Sequence, residues 1–111
     1  MPRPPKPRWC RGVPPQAAFK PAGVPLSELP QVSLGLDELE ALRLCDLVGL
    51  DQEAAGREMG VSRGTVQRLL TTARAKVADA LTNGKALVVT RTNYVRFPPG
   101  GGRHRWGAPR A

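Results

Sequence analysis

Apolar side chains recur at three- and four-residue spacings between residues 36 and 82, and this run predicts three helices. In LDELEALRLCDLV, residues 36–48, Leu39, Ala41, Leu42, Leu44 and Cys45 form a broad apolar stripe. Gly35 serves as N-cap, Asp37 and Glu38 suit the positive end of the helix dipole, and Gly49 ends the helix. Leu50 pins the short link that follows. The second helix, about 51–59, is capped by Asp51 and offers Ala54, Ala55 and Met59 to a core. The third, about 63–82, is the most informative. At about 100° per residue, Val66, Leu69, Leu70, Ala73, Val77 and Ala80 fall within one arc of roughly 100°. Arg63, Gln67, Thr71 and Arg74 share another face, flanked by Gly64 and Arg68, and Asn83-Gly84 is a helix stop.

Residues 52–71, QEAAGREMGVSRGTVQRLLT, read as a helix-turn-helix. Gly56 is small where two helices cross, and Gly60 tolerates left-handed φ in the turn. Ala55, Met59, Val61, Val66 and Leu69 are spaced to lock the pair, and Ser62 is placed to cap the second helix. The competing reading of the same pattern is an αα-hairpin with no nucleic-acid role.

Outside this window the pattern changes. Residues 85–97 turn to β-type side chains, and Ala86–Thr90 is expected as a strand, paired with the chain near Phe19 or with a second subunit. Residues 24–35 read as a connector with Leu29, Val32 and Leu34 at its inner edge, Pro30 opposing a regular helix. Residues 1–23 carry Arg3, Lys6, Arg8, Arg11 and Lys20 without an acid, and their prolines forbid a continuous helix. They are expected as a basic arm along phosphates or in the minor groove, with a solvated tail as the alternative. Trp9 and Phe19 imply that part of the segment docks on the domain. The division expected is an arm at 1–23, a helix-turn-helix domain at 24–90 with its core at 52–71, and a disordered basic tail at 91–111.

Charge adds a partner class. The 111 residues, enough for one domain, carry a formal net charge of +8, with a pI of about 10.8. Such a balance points to polyanions. By segment the charge is +5 for 1–23, −6 for 24–62, +4 for 63–85 and +5 for 86–111, which suits a protein that docks one way round. Two cysteines and no apolar stretch behind the basic N-terminus point to a cytoplasmic chain with reduced thiols. No run approaches membrane-spanning length. One histidine and no paired cysteine spacing argue against a structural zinc, and no metal or cofactor is expected. No nucleophile with a partner histidine, acid–base pair or phosphate-cradling glycine motif occurs, so an enzyme is not expected.

The blocks RPPKPRW, FKPAGVPLSELPQV, LDELEALRLCDLVGLDQEAAGREMGVSRGTVQRLL and ARAKVADALTNGKAL together resemble a small prokaryotic family, domain of unknown function one-three-four, across about residues 3–88. Its members are predicted DNA-binding proteins, and the domain is similar to region 4 of sigma-70-type sigma factors. The resemblance implies a mainly α fold: a sigma-70 region 4-like helix-turn-helix of three helices with a long last helix, a short C-terminal strand and extended basic termini. The family usually has Glu and Ala where this chain has Ala54 and Gly56. Some relatives carry an added domain similar to nitrogenase-cofactor biosynthesis proteins. Nothing in this chain matches it, so no metal or cofactor link carries over.

The expectation from these readings is a sequence-specific DNA-binding protein, a transcriptional regulator, whose long helix enters the major groove by its N-terminal end. Arg63 and Arg68 are placed for bidentate contacts with guanine, and Gln67 for adenine. Ser62, Thr65, Thr71 and Arg74 are assigned to phosphate, Gly64 lies among them, and Arg3, Lys6, Arg8 and Arg11 supply the arm. Double-stranded DNA is the expected partner; RNA polymerase, another regulator or a second copy in a homodimer remain open, and a membrane is not expected. Two other readings compete: a sigma-like module that binds a transcription partner through its acidic first helices without DNA contact, and an RNA-binding protein. The second lacks an aromatic stacking platform.

Overall fold

The computed structural model describes residues 7–13, 17–91, 95–96 and 104–105. The described chain is mainly helical, with three helices and a few short strands. Strand β4, Gln31–Gly35, runs directly into helix α1, Leu36–Leu42, so that Gly35 is both the last strand residue and the N-cap. The Gly35 N–H donates to the Glu38 carboxylate at 2.7 Å, the half of a capping box that a residue without a side chain can form. A π-helical turn, Arg43–Leu47, continues α1 and ends at Gly49, where φ is 92°. Helix α2, Gln52–Met59, follows, then α3, Arg63–Asn83. Gly84, at φ 64°, closes α3 in the left-handed conformation, and the Lys85 N–H bonds back to the Ala80 carbonyl. Strand β5, Ala86–Thr90, begins one residue later.

The three helices thus bridge two parallel neighbours. β4 pairs with β5 from Gln31↔Ala86 to Gly35↔Thr90, and β3, Ala18–Phe19, pairs antiparallel on the other side of β5. The expected pairing of Ala86–Thr90 with the chain near Phe19 is therefore present. The connector at 24–35 is corrected: a 3₁₀ turn, Leu26–Glu28, precedes a full strand. The reason is non-local. Residues 31–35 hold too few apolar positions to announce a strand, and the ladder partner lies more than fifty residues away.

Ala41, Leu44, Ala55, Met59 and Val66 form the central cluster, with Cys45, Leu50, Val61 and Leu69 packed against it. A second cluster joins Cys10 and Val95 to Leu36, with Leu39 and Val89 beside them. That cluster corrects one boundary. Arg8–Trp9 forms β1 and pairs in parallel with β6, Val95–Arg96; Gly12–Val13, β2, pairs with β7, His104–Arg105. Residues 8–12 pack on the domain, in line with the docking expected from Trp9, and Val95 belongs to its core rather than to a tail. Fully burying Cys10 and almost fully burying Val95 gives the ends an apolar anchor that residues 24–90 alone would leave exposed to water.

Candidate nucleic-acid interface

The joint between α2 and α3 is closed by a complete Schellman arrangement. Gly60 adopts φ 69°; its N–H bonds to the Arg57 carbonyl, and the Val61 N–H bonds to the Gly56 carbonyl at 2.9 Å. A Cβ at Gly56 would stand 2.7 Å from the Val61 carbonyl oxygen, so the turn lies as close to α2 as a glycine permits. Alanine at this position would require the turn to sit slightly further out. Asp51 caps α2 by accepting from the Ala54 N–H at 2.7 Å, and Ser62 caps α3 by accepting from the Thr65 N–H at 3.2 Å. Both caps fall where the sequence places them.

α3 divides as its periodicity requires. Val66, Leu70, Ala73 and Ala80 are buried, whereas Arg63, Gly64, Gln67, Arg68, Thr71 and Arg74 are exposed. The Arg68 guanidinium donates to Thr65 Oγ1 at 3.1 Å, and Thr65 Oγ1 lies 3.1 Å from Ser62 Oγ. A short polar chain therefore runs from the cap to Arg68 and lays its guanidinium near Gly64. Ser62 and Thr65 already use their hydroxyls inside this chain, so a phosphate would have to compete for them. Among the described residues no carboxylate pairs with Arg63 or Arg68.

The remaining expected contacts are placed differently. Arg74 is held by Asp46 through two hydrogen bonds, of 2.7 and 3.0 Å. This contact keeps the Asp46 carboxyl below its ordinary range and raises the Arg74 guanidinium above its own. A cleft of about 500 Å³ opens beside the pair, lined by Asp51, Glu53 and Arg63 among others. Arg8 is corrected outright. Its guanidinium is paired with Asp37 at 3.3 Å, and the two side chains are only 11% and 7% exposed, so it is not presented to a phosphate. Arg11 donates its backbone N–H to Glu40 at 2.8 Å and its guanidinium to Glu58, which ties the link between β1 and β2 to α1 and α2. Arg3 and Lys6 lie outside the described residues.

Sequence reasoning missed Asp46, because a helical reading gives no reason to aim it at a residue 28 positions away. It also missed Arg57, which is exposed on α2 and has no ion pair among the described residues. The sequence carried no signal for it, since Glu53, four residues toward the helix N-terminus, is spaced to pair with it. No cluster of three or more metal-ligating side chains occurs among the described residues, and no described helix is long and apolar enough to cross a membrane.

The family described as "Protein of unknown function DUF134" matches residues 1–97. A UPF0251 protein of Caldanaerobacter subterraneus subsp. tengcongensis is 53% identical over 96% of this chain and 95% of its own length. Another, from Thermoanaerobacter pseudethanolicus, is 52% identical over the same shares, and one from Dehalococcoides mccartyi is 56% identical over 78% of this chain and 74% of its own. No solved structure matches the chain. With the family matched across residues 1–97 and half of all positions shared with relatives of nearly equal length, the chain belongs to the DUF134 family of UPF0251 proteins.

Proposed function

We propose that this protein is a sequence-specific duplex-DNA-binding protein of the cytoplasm, a transcriptional regulator rather than an enzyme. Its α2–turn–α3 unit acts as a helix-turn-helix of the sigma-70 region 4 kind. The observation that carries the reading is the division of α3: a buried face fixed on the central cluster and an outer face presenting Arg63, Gln67 and Arg68 to solvent. The side chains that can read guanine and adenine edges thus stand on a rigid element, two of them as arginines without a carboxylate partner among the described residues. The Ser62-capped start of α3 adds the positive end of a long helix dipole at the same place.

The alternative of an acidic protein-docking face gains less. Of the eight acids on residues 24–62, Asp37, Glu38, Glu40, Asp46 and Glu58 are already paired with basic side chains of this chain. Titration of a labelled duplex at several salt concentrations, with duplex RNA as competitor, tests the reading. Binding that weakens steeply with salt and resists RNA is expected. Salt-independent behaviour, or equal displacement by RNA, would count against it.

A further inference from the structure

Arg74 and Asp46 form a contact that the DNA-binding reading does not use. Around α3, at about 100° per residue, Arg74 lies roughly 20° from Arg63 and about 20° from Gln67. It therefore belongs to the same outer face. Along the axis it stands about 16 Å beyond Arg63, at ~1.5 Å per residue. A major groove is about 12 Å wide, so a side chain that far from the entering end meets the sugar-phosphate wall rather than base edges. In the free protein its guanidinium is already engaged in a fork with both oxygens of the Asp46 carboxylate. That is the geometry in which an arginine grips a phosphate.

Asp46 lies in the π-helical turn, a widened turn of a kind often found at functional sites. Both side chains of the pair are substantially exposed, 56% for Arg74 and 39% for Asp46, so the contact is one that water and salt weaken. Asp51, Glu53 and Arg63 line the adjoining cleft, and none of them takes part in the pair.

Resting on the proposed DNA binding, we infer that Asp46 is a built-in phosphate surrogate: it holds Arg74 in the free protein and yields it to a backbone phosphate on docking. The exchange leaves the affinity for any duplex lower than the basic face alone would give. It acts equally on all sequences, because a phosphate contact carries no base information. Base contacts at Arg63, Gln67 and Arg68 then make up a larger share of the affinity for a cognate site, while the ratio between cognate and bulk DNA is unchanged.

The test is a double-mutant cycle on duplex binding, read as affinity and as its salt slope, with Asp46→Asn, Arg74→Ala and the double variant in the full chain. Circular dichroism checks that each remains folded. Asp46→Asn is expected to tighten binding to cognate and unrelated duplexes alike by about two- to fivefold, the range an exposed pair allows. Arg74→Ala is expected to weaken binding and to reduce the salt slope by about one. In the Arg74→Ala background the gain from Asp46→Asn should vanish. Asp79→Asn is the control, because it removes the same charge from a carboxylate held by Lys85 near the far end of α3. A gain from Asp46→Asn that persists without Arg74, or that Asp79→Asn reproduces, overturns the exchange and leaves the DNA reading standing. An Arg74→Ala variant with an unchanged salt slope does the same. A wild-type protein without salt-dependent duplex binding overturns both.

Discussion

The Trp9 indole lies over Gly60, so close that a Cβ at Gly60 would stand 2.9 Å from Trp9 Cδ1 and 3.2 Å from Nε1. A residue from the N-terminal segment thus covers the turn between α2 and α3, and the turn accepts it because it has no side chain there. Two penalties meet at Gly60. Its φ of 69° costs an L-residue about 1–2 kcal/mol, and the tryptophan adds a steric collision. Gly60→Ala is expected to lower stability by roughly 2–3 kcal/mol. In a Trp9→Ala background the same change should cost only the conformational part, about 1–2 kcal/mol. Urea unfolding of the four proteins in the cycle measures the difference, and full additivity would mean that Trp9 does not cover the turn.

Arg8 and Asp37 join β1 to the start of α1, and their burial sets a pH signature. Burial raises the Asp37 carboxyl above its usual value of 3.8, against the opposing pull of backbone hydrogen bonding and of Arg8. A carboxyl raised on folding takes up its proton first in the folded state. Its contribution to stability is full below 3.8 and is lost as pH rises through the folded value. Arg8→Met removes one of the influences that keep Asp37 ionised, so the Asp37 titration followed by carbon NMR should move further up. Stability at neutral pH should fall by about 3 kcal/mol, because a carboxylate is left buried without its partner. An Asp37 titration that stays in place would show that the pair is not formed.

The two thiols should differ in reactivity. Cys10 is fully buried, its Sγ 3.7 Å from the Leu36 carbonyl oxygen, and burial pushes its thiol far above the ordinary range. Cys45 is only partly buried, and its thiol is raised for the same first reason, with Asp46 adding to it. Alkylation of the native protein is expected to modify Cys45 first, and Cys10 only on unfolding. Peptide mapping after a short iodoacetamide pulse reads this directly, and early labelling of Cys10 would show that β1 opens readily.

Removal of either cap should be felt locally. Asp51→Ala and Ser62→Ala each leave a helix N–H without its side-chain acceptor, and each is expected to cost about 1 kcal/mol. Ser62→Ala should cost more in DNA affinity than Asp51→Ala, because Ser62 also supports the Thr65–Arg68 chain. Equal loss of DNA affinity in the two variants would mean that this chain does not orient Arg68.

The helices were legible in the sequence because their information is local. Asp51, Ser62, Gly60 and Gly84 each announce a boundary through their own backbone chemistry, and the arc from Val66 to Ala80 gives the buried face of α3. β4 and the two short parallel pairs were not legible, because each is defined by a partner far along the chain. The same limit explains Arg8. Its charge is visible in the sequence, but Asp37, the residue that removes it from the surface, is 29 positions away. Trp9, like Phe19, carried a usable warning, since a large apolar ring in a basic segment needs something to cover.

Selection from a random duplex library at physiological salt, run in parallel on the wild type and on Arg68→Ala, tests the central claim most directly. The reading of α3 predicts an enriched motif for the wild type and relaxed preference at one base position in the variant, worth about 1–3 kcal/mol there. No enrichment for the wild type, or an identical motif from both proteins, would contradict the assignment of α3 as the element that reads the sequence.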